Sequence, residues 1–193
     1  ADPTPKMLGD NPPRKLEIKH ARFLTGALAP VSARDWMVLL APNFRWGKSK
    51  TLSSANLTTV GRDSAYLDLD VMTGSVLSVT VRVYRSKKHG TLVAVSQTGT
   101  CCCGSCIAKI HFFQIDNDKL IDVTDDVWPR FGFVTADGLV VDQMTYAPSP
   151  KSSTVAIRHK LDGRLLYKLK RSRRTGVFDV VWRRRGEPPP FKR

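Results

Sequence analysis

Ala65-Tyr66-Leu67-Asp68-Leu69-Asp70-Val71-Met72, followed by Leu77-Ser78-Val79-Thr80-Val81-Arg82-Val83-Tyr84, is the stretch whose reading decides the fold. Ala65, Leu67, Leu69 and Val71 take alternate positions in the first run, and Leu77, Val79, Val81 and Val83 do so in the second. Successive side chains on a strand point to opposite faces. A period of two therefore marks strands with one face in a core and one in water. Met72-Thr73-Gly74-Ser75 joins the runs as a tight turn, which makes them an antiparallel pair. Asp68 and Asp70 fall on the wet face. They read as solvated carboxylates before they read as a catalytic pair.

Downstream, a unit of strand, polar turn and strand recurs. It runs Val81–Tyr84, Arg85–Gly90, Thr91–Val95, then His111–Ile115, Asp116–Lys119, Leu120–Val123. It returns as Val155–His159, Lys160–Gly163, Arg164–Leu169, and a last hairpin links Leu165–Lys170 to Val177–Trp182 through Ser172–Gly176. Asp162-Gly163 and Asn117-Asp118 are hairpin-turn chemistry, because short polar residues and glycine tolerate positive φ. Leu139–Met144 is a further strand, and Ala147–Ser153 a Pro/Ser loop. Thr124–Pro129 reads as a capped helical turn stopped by proline.

Upstream, Ser32-Ala33-Arg34-Asp35 has the form of a capping box and opens a helix over Ala33–Leu40, which Pro42 stops. Leu16, Ile18 and Phe23 fit either a first strand or a short amphipathic piece, and residues 43–64 read as loop. Asn56-Leu57-Thr58 is a glycosylation triplet, meaningful only in a eukaryotic secretory route. The predicted fold is mainly β, with nine or ten strands in an antiparallel meander of hairpins, sandwich- or barrel-like, and one short N-terminal helix. A single β-rich domain at 14–186 follows an extended lead-in at 1–13, with Pro3, Pro5, Pro12 and Pro13, and precedes a Pro/basic tail at 187–193. At 193 residues the chain is long enough to build a core without covalent staples.

All four cysteines lie in one loop, Cys101-Cys102-Cys103-Gly104-Ser105-Cys106, between two apolar runs. The loop reads as the tip of a central hairpin. Cysteines this dense fit an oxidising compartment and one or two local disulfides, whose pairing the sequence leaves open. Cys101–Cys102 or Cys102–Cys103 would be a strained vicinal bridge. A metal site is the second reading. Zinc sites usually draw two separated Cys pairs from different turns, and His111 lies about 17 Å from Cys106 along a strand. Cys103-Gly104-Ser105-Cys106 is formally C-x-x-C. A redox motif needs a helix after its first cysteine, and β-type residues follow here.

The stretch Leu92–Pro129 resembles secreted or periplasmic bacterial β-domain proteins of unknown function. It has a strand pair with a Cys-bearing tip, then the aromatic pair Phe112-Phe113. An Asp/Asn turn follows, and then Asp122-Val123-Thr124-Asp125-Asp126-Val127-Trp128-Pro129. The resemblance implies export and a β architecture, with no activity attached. The triple cysteine departs from the simpler two-cysteine tip of that pattern. No basic, apolar leader opens the sequence, as expected of a cytosolic chain or a mature exported one. No apolar run approaches the roughly 20 residues of a membrane-spanning helix.

The net charge is +14, and residues 151–193 alone carry 14 of the 31 basic side chains and 3 of the 17 acidic ones. The anion-binding candidates are Lys168, Lys170, Arg171, Arg173 and Arg174 around the last hairpin turn, and Arg183, Arg184 and Arg185 after its second strand. In an antiparallel pair those groups fall at opposite ends. Tyr167 and Trp182 are either stacking surfaces or core and edge residues. No RNP-like motif or recognition helix accompanies them. His20, His89, His111 and His159 form no metal-binding motif, and His89 is expected in solvent. Without a Walker loop, G-x-S-x-G or G-x-G-x-x-G, no catalytic residues and no cofactor are assigned.

The leading expectation is an exported, secreted or periplasmic, non-enzymatic binding domain. Its basic C-terminal third would meet an anionic glycan, a lipid head group or nucleic acid, with a protein partner also open. The alternatives are a metal- or redox-active protein centred on Cys101–Cys106, and an intracellular nucleic-acid-binding protein. The cysteines separate them. Denatured, unreduced protein is expected to titrate with no free thiols and no bound zinc. Four free thiols, or one equivalent of zinc, sinks the disulfide reading and the compartment with it.

Overall fold

Eleven strands and two helices stand among the described residues of the computed structural model, which are 15–16, 30–40, 57–72, 75–99, 108–116, 119–129, 144–187 and 189. In chain order they are β1 (Lys15–Leu16), α1 (Ala33–Leu40), β2 (Leu57–Thr59), β3 (Ser64–Met72), β4 (Ser75–Ser86), β5 (Gly90–Gly99), β6 (Ala108–Asp116) and β7 (Lys119–Asp122). Then follow α2 (Thr124–Val127), β8 (Met144–Pro148), β9 (Thr154–His159), β10 (Leu165–Arg171) and β11 (Phe178–Arg183). The strands make two antiparallel meanders, a seven-stranded sheet ordered β1-β7-β6-β5-β4-β3-β2 and a four-stranded sheet ordered β11-β10-β9-β8. This is the expected mainly β meander with a short N-terminal helix.

The two sheets stack, and α1 covers the opposite face of the larger one. Val79, Val81 and Val83 of β4, with Val93 and Val95 of β5, pack against Ala33, Trp36, Met37 and Leu40 of α1. On the other face, Tyr84, Leu92, Ala94 and Phe112 meet Val155, Ile157, Leu166, Leu169 and Phe178 of the smaller sheet. β5 lies under both layers and is buried without a break from Leu92 to Gln97. The continuous run Leu92-Val93-Ala94-Val95 is the sequence counterpart of that double cover, where β3 and β4 alternate. At about 1.5–3 kcal/mol for each buried Val or Leu, this strand is where burial is densest.

Local chemistry explains the ends of the elements. The capping box of α1 forms as expected. The Ser32 hydroxyl accepts from the Asp35 amide at 3.2 Å, and Asp35 Oδ2 accepts from the Ser32 amide at 2.8 Å. The Ala33 amide donates to Arg62 O, which ties the helix start to the β2–β3 turn. Gly163 takes φ +67° in the β9–β10 turn, the left-handed backbone that Asp-Gly predicts.

Several expectations change. Residues 57–59, read as loop, are the edge strand β2. Thr58 and Thr59 are exposed, and the strand is held by backbone pairing to β3, so no apolar alternation marks it. The strand expected at 139–144 begins at Met144 within the described residues, and it extends through Ala147 and Pro148, which were read as loop. Pro148 is tolerated because β8 is an edge strand. Val123, at the N-cap of α2, makes no side-chain cap. The neighbouring Thr124 hydroxyl instead accepts from the Phe112 amide of β6 at 2.8 Å. The chain is still packed at Glu187, which is buried. The lead-in at 1–13 lies outside the described residues.

On the α1 side, His111 Nδ1 of β6 pairs with Asp122 Oδ2 of β7 at 2.9 Å, both side chains about nine-tenths buried. Burial works to raise the Asp122 carboxyl. Hydrogen bonds from His111 and from the Thr124 hydroxyl and amide outweigh it, so the group sits below its ordinary value of 3.8. A carboxyl depressed on folding adds stability above its unfolded value and loses it as pH falls through the folded one. Asp122→Asn is therefore expected to cost about 1–3 kcal/mol near neutral pH, with the difference from the parent shrinking as pH falls below the ordinary carboxyl range. Urea unfolding at a series of pH values checks this, and parallel curves would contradict it.

Candidate anion-binding surface

Two turns from different sheets meet at one corner of the molecule. The β4–β5 turn reads Ser86-Lys87-Lys88-His89-Gly90, and the β10–β11 turn reads Ser172-Arg173-Arg174-Thr175-Gly176. Both follow one pattern: Ser, two basic residues, any residue, Gly. In the first, the Ser86 hydroxyl accepts from the amides of Lys88 and His89 at 3.3 and 3.1 Å. In the second, the Ser172 hydroxyl accepts from those of Arg174 and Thr175, each at 3.2 Å. Serine so placed closes the turn locally, and glycine with φ +65° and +78° lets the chain return to a strand.

The first turn holds the second through its backbone. His89 Nε2 lies 3.0 Å from Arg174 O and 3.3 Å from Arg173 O, and Lys88 Nζ donates to Arg174 O at 3.1 Å. Gly176 leaves room for the contact, since a Cβ there would stand 3.0 Å from the His89 ring. His89 is thus half-buried against the opposing turn, where the sequence placed it in solvent. With the carbonyls taken up, the side chains of Lys87, Arg173 and Arg174 remain on the exposed rim beside the Lys88 charge.

Arg171 supports this corner from beneath and is not one of its surface cations. It is buried, with Nε donating to Gly176 O at 3.0 Å and Nη1 to Tyr84 O at 3.2 Å. Burial pulls its guanidinium below the ordinary value, and the nearby Tyr84 opposes that shift. Inward-facing positions of β10 alternate with outward ones, so Lys168 and Lys170 are exposed on the outer face while Leu169 and Arg171 turn inward. Across the pairing with β11, Lys168 stands opposite Trp182 and Lys170 opposite Asp179.

Arg183, Arg184 and Arg185 are exposed at the far end of the hairpin, where Arg183 pairs in register with Tyr167. Four residue steps of strand, from Tyr167 to Arg171, separate that end from Arg171, roughly 13 Å, which exceeds the Debye length at physiological salt. They do not reinforce the corner. Arg85, by contrast, is neutralised by Asp63 at 3.2 Å. The two turns themselves contain no carboxylate, so four cations stand on the corner without an acidic neighbour in either turn. Tyr167 belongs to the core and Trp182 is partly exposed.

Lys87, Lys88 and His89 are the members that sequence reasoning missed. The shared Ser-basic-basic-x-Gly pattern, 86 residues apart, was the available signal. Cys101, Cys102, Cys103 and Cys106 lie outside the described residues, between the paired strands β5 and β6. His159 pairs with Asp162 at 2.9 Å in the β9–β10 turn, and Asp68 accepts from the Ser78 hydroxyl at 2.6 Å on an exposed face. Among the described residues, no group of three or more His, Cys, Asp or Glu is placed to hold a metal ion. No described helix is long and apolar enough to cross a membrane. Comparison with protein-family models, with curated proteins and with solved structures finds no match to this chain.

Gly176→Ala tests the turn-to-turn contact. It combines positive φ with the His89 clash, whereas Gly163→Ala has positive φ and open space. Gly163→Ala is expected to cost about 1 kcal/mol and Gly176→Ala about 2–3 kcal/mol. In urea unfolding, adding His89→Ala is expected to relieve the excess. Equal costs for the two glycines would show that the turns do not touch.

Proposed function

We propose that this protein is a non-enzymatic, exported binding domain that holds an acidic polymer at the corner made by its two basic turns. The observation that carries the reading is the locking of Ser86–Gly90 against Ser172–Gly176, which gathers Lys87, Lys88, Arg173 and Arg174 on one rim. Turn backbones already held against each other leave less to be ordered on binding than free loops do. Several cations close together release counterions from a polyanion as a group, and affinity of that kind falls steeply with salt.

An acidic glycan fits the corner better than a single-stranded nucleic acid. Neither turn carries a Phe, Tyr or Trp, and the His89 ring is held against the Arg173 and Arg174 carbonyls, whereas such strands are usually held by stacking on exposed rings as well as by charge. Trp182, on the far half of β11, stands away from the rim. The secreted or periplasmic compartment rests on the cysteine density and on the resemblance of Leu92–Pro129.

Heparin serves as the probe glycan. The fourfold variant Lys87→Gln, Lys88→Gln, Arg173→Gln, Arg174→Gln is expected to bind at least tenfold more weakly in 50 mM salt and to show a shallower salt dependence. Arg183→Gln, Arg184→Gln, Arg185→Gln, which removes nearly as much charge, is expected to lose less than threefold. Equal losses would mean that net charge alone drives binding. An oligothymidylate bound more tightly than heparin at matched charge would overturn the glycan assignment.

A further inference from the structure

Taking the acidic-glycan reading of the corner as the premise, we infer that the bound glycan continues from the rim along β10, over the outer face of the smaller sheet, and stacks a sugar ring on Trp182. The path leaves Arg173 and Arg174 in the turn and meets Lys170 and then Lys168, both exposed at alternate positions of β10. At about 3.3 Å per residue the two lysines stand roughly 7 Å apart along the strand, so rim and strand cations follow one another in a line. Asp179 is the one carboxylate in the four strands, and it lies opposite Lys170. Lys168 stands in a row without an acid.

Backbone register fixes what lies beside Lys168. Residues paired directly across neighbouring strands share a face, and Lys168 pairs with Ala156 of β9 and with Trp182 of β11. Ala156 pairs in turn with Ala147 of β8, so one row crosses the whole sheet as Ala147, Ala156, Lys168 and Trp182. Val181 is the extra residue of a bulge in β11, and the bulge is what sets Trp182 opposite Lys168. Trp182 is 42% exposed, a large ring left in solvent beside a lysine. The two alanines keep the floor of the row low, so the indole and the Lys168 stem stand above it. Arg183 does not prolong the row. It pairs with buried Tyr167 and turns to the opposite face, where it lines a groove with Phe178 and with Asp125 and Asp126 of α2.

An acidic glycan carries both kinds of surface that this track offers to meet. Its sulfate or carboxylate groups pair with Lys170 and Lys168, and the C–H face of a pyranose ring packs on the indole. Lysine is a compact charge on a flexible stem and follows anions that are not held in one plane. A single-stranded nucleic acid is gripped by a succession of rings on which consecutive bases stack, and the row supplies one.

Heparin oligosaccharides of two lengths test the track on the intact chain, with affinities read by NMR titration. A disaccharide is short enough to be held by the corner, and an octasaccharide reaches Trp182. Trp182→Ala and the pair Lys168→Gln, Lys170→Gln, each checked for an unchanged spectrum without ligand, are expected to weaken the octasaccharide about fivefold and to leave the disaccharide within about twofold. Trp182→Phe, which keeps a ring, is expected to retain most of the affinity. The Trp182 indole N–H signal, assigned by its loss in Trp182→Ala, is expected to shift with the octasaccharide and not with the disaccharide. An octasaccharide bound equally by Trp182→Ala and the parent, or an indole signal that does not move, would overturn the continuation while leaving the corner intact. Undiminished octasaccharide binding by the fourfold corner variant would overturn the corner reading and the continuation with it. An oligothymidylate that shifts the Trp182 indole at lower concentration than the octasaccharide would overturn the choice of occupant.

Discussion

The constraint on which the structure depends is the double cover of β5. A strand with core on both sides has no face for water, so all of its side chains from Leu92 to Gln97 must be accommodated inside. Its own hydrogen bonds are met by β4 and β6 along almost its whole length. The two layers above and below are then obligatory partners, because removing either would expose one half of these residues. α1 and the four-stranded sheet are accordingly made of what a cover needs. Trp36, Met37 and Leu40 lie on one side, and Ile157, Leu166, Leu169 and Phe178 on the other.

The same stacking creates the basic corner, at a cost. Bringing the ends of two sheets together buries Arg171, whose Nη2 finds no partner among the described residues. An unpaired buried charge is expensive, and a well-packed apolar residue often does as well for stability. What Arg171 supplies is direction. Its fork reaches Gly176 O in the turn of its own hairpin and Tyr84 O in the other sheet, and so fixes one hairpin end against the other. His89 and Lys88 then complete the lock from the opposite side. The surface cations stand where they do because a buried cation and a histidine hold their backbones.

Charge is distributed unevenly over the smaller sheet. Its β10–β11 turn carries Arg173 and Arg174, while three of the four charged residues among the described lining of the groove beside β11 are Asp125, Asp126 and Asp179. Lys170 and Asp179 face each other across the same pair of strands, which marks the boundary between the two fields.

The sequence by itself determined the elements. The period of two in β3 and β4 is a property of the pleat, the capping box of α1 is satisfied within four residues, and Asp162-Gly163 specifies its turn locally. All three are short-range consequences of covalent geometry, so they are legible without a fold. β2, held by backbone pairing with exposed threonines, left no apolar trace, and the end of β8 ran past its expected boundary because its edge position permits Pro148. The site was legible in part. Arg173 and Arg174 could be named from charge density, and the separation of Arg183–Arg185 from them follows from strand length. Only the tertiary structure decided that Arg171 turns inward, that His89 is a clamp, and that Lys87 and Lys88 join Arg173 and Arg174 on one rim. Those facts depend on which face of one sheet meets the other. That is fixed by burial summed over both sheets, and no local pattern carries it.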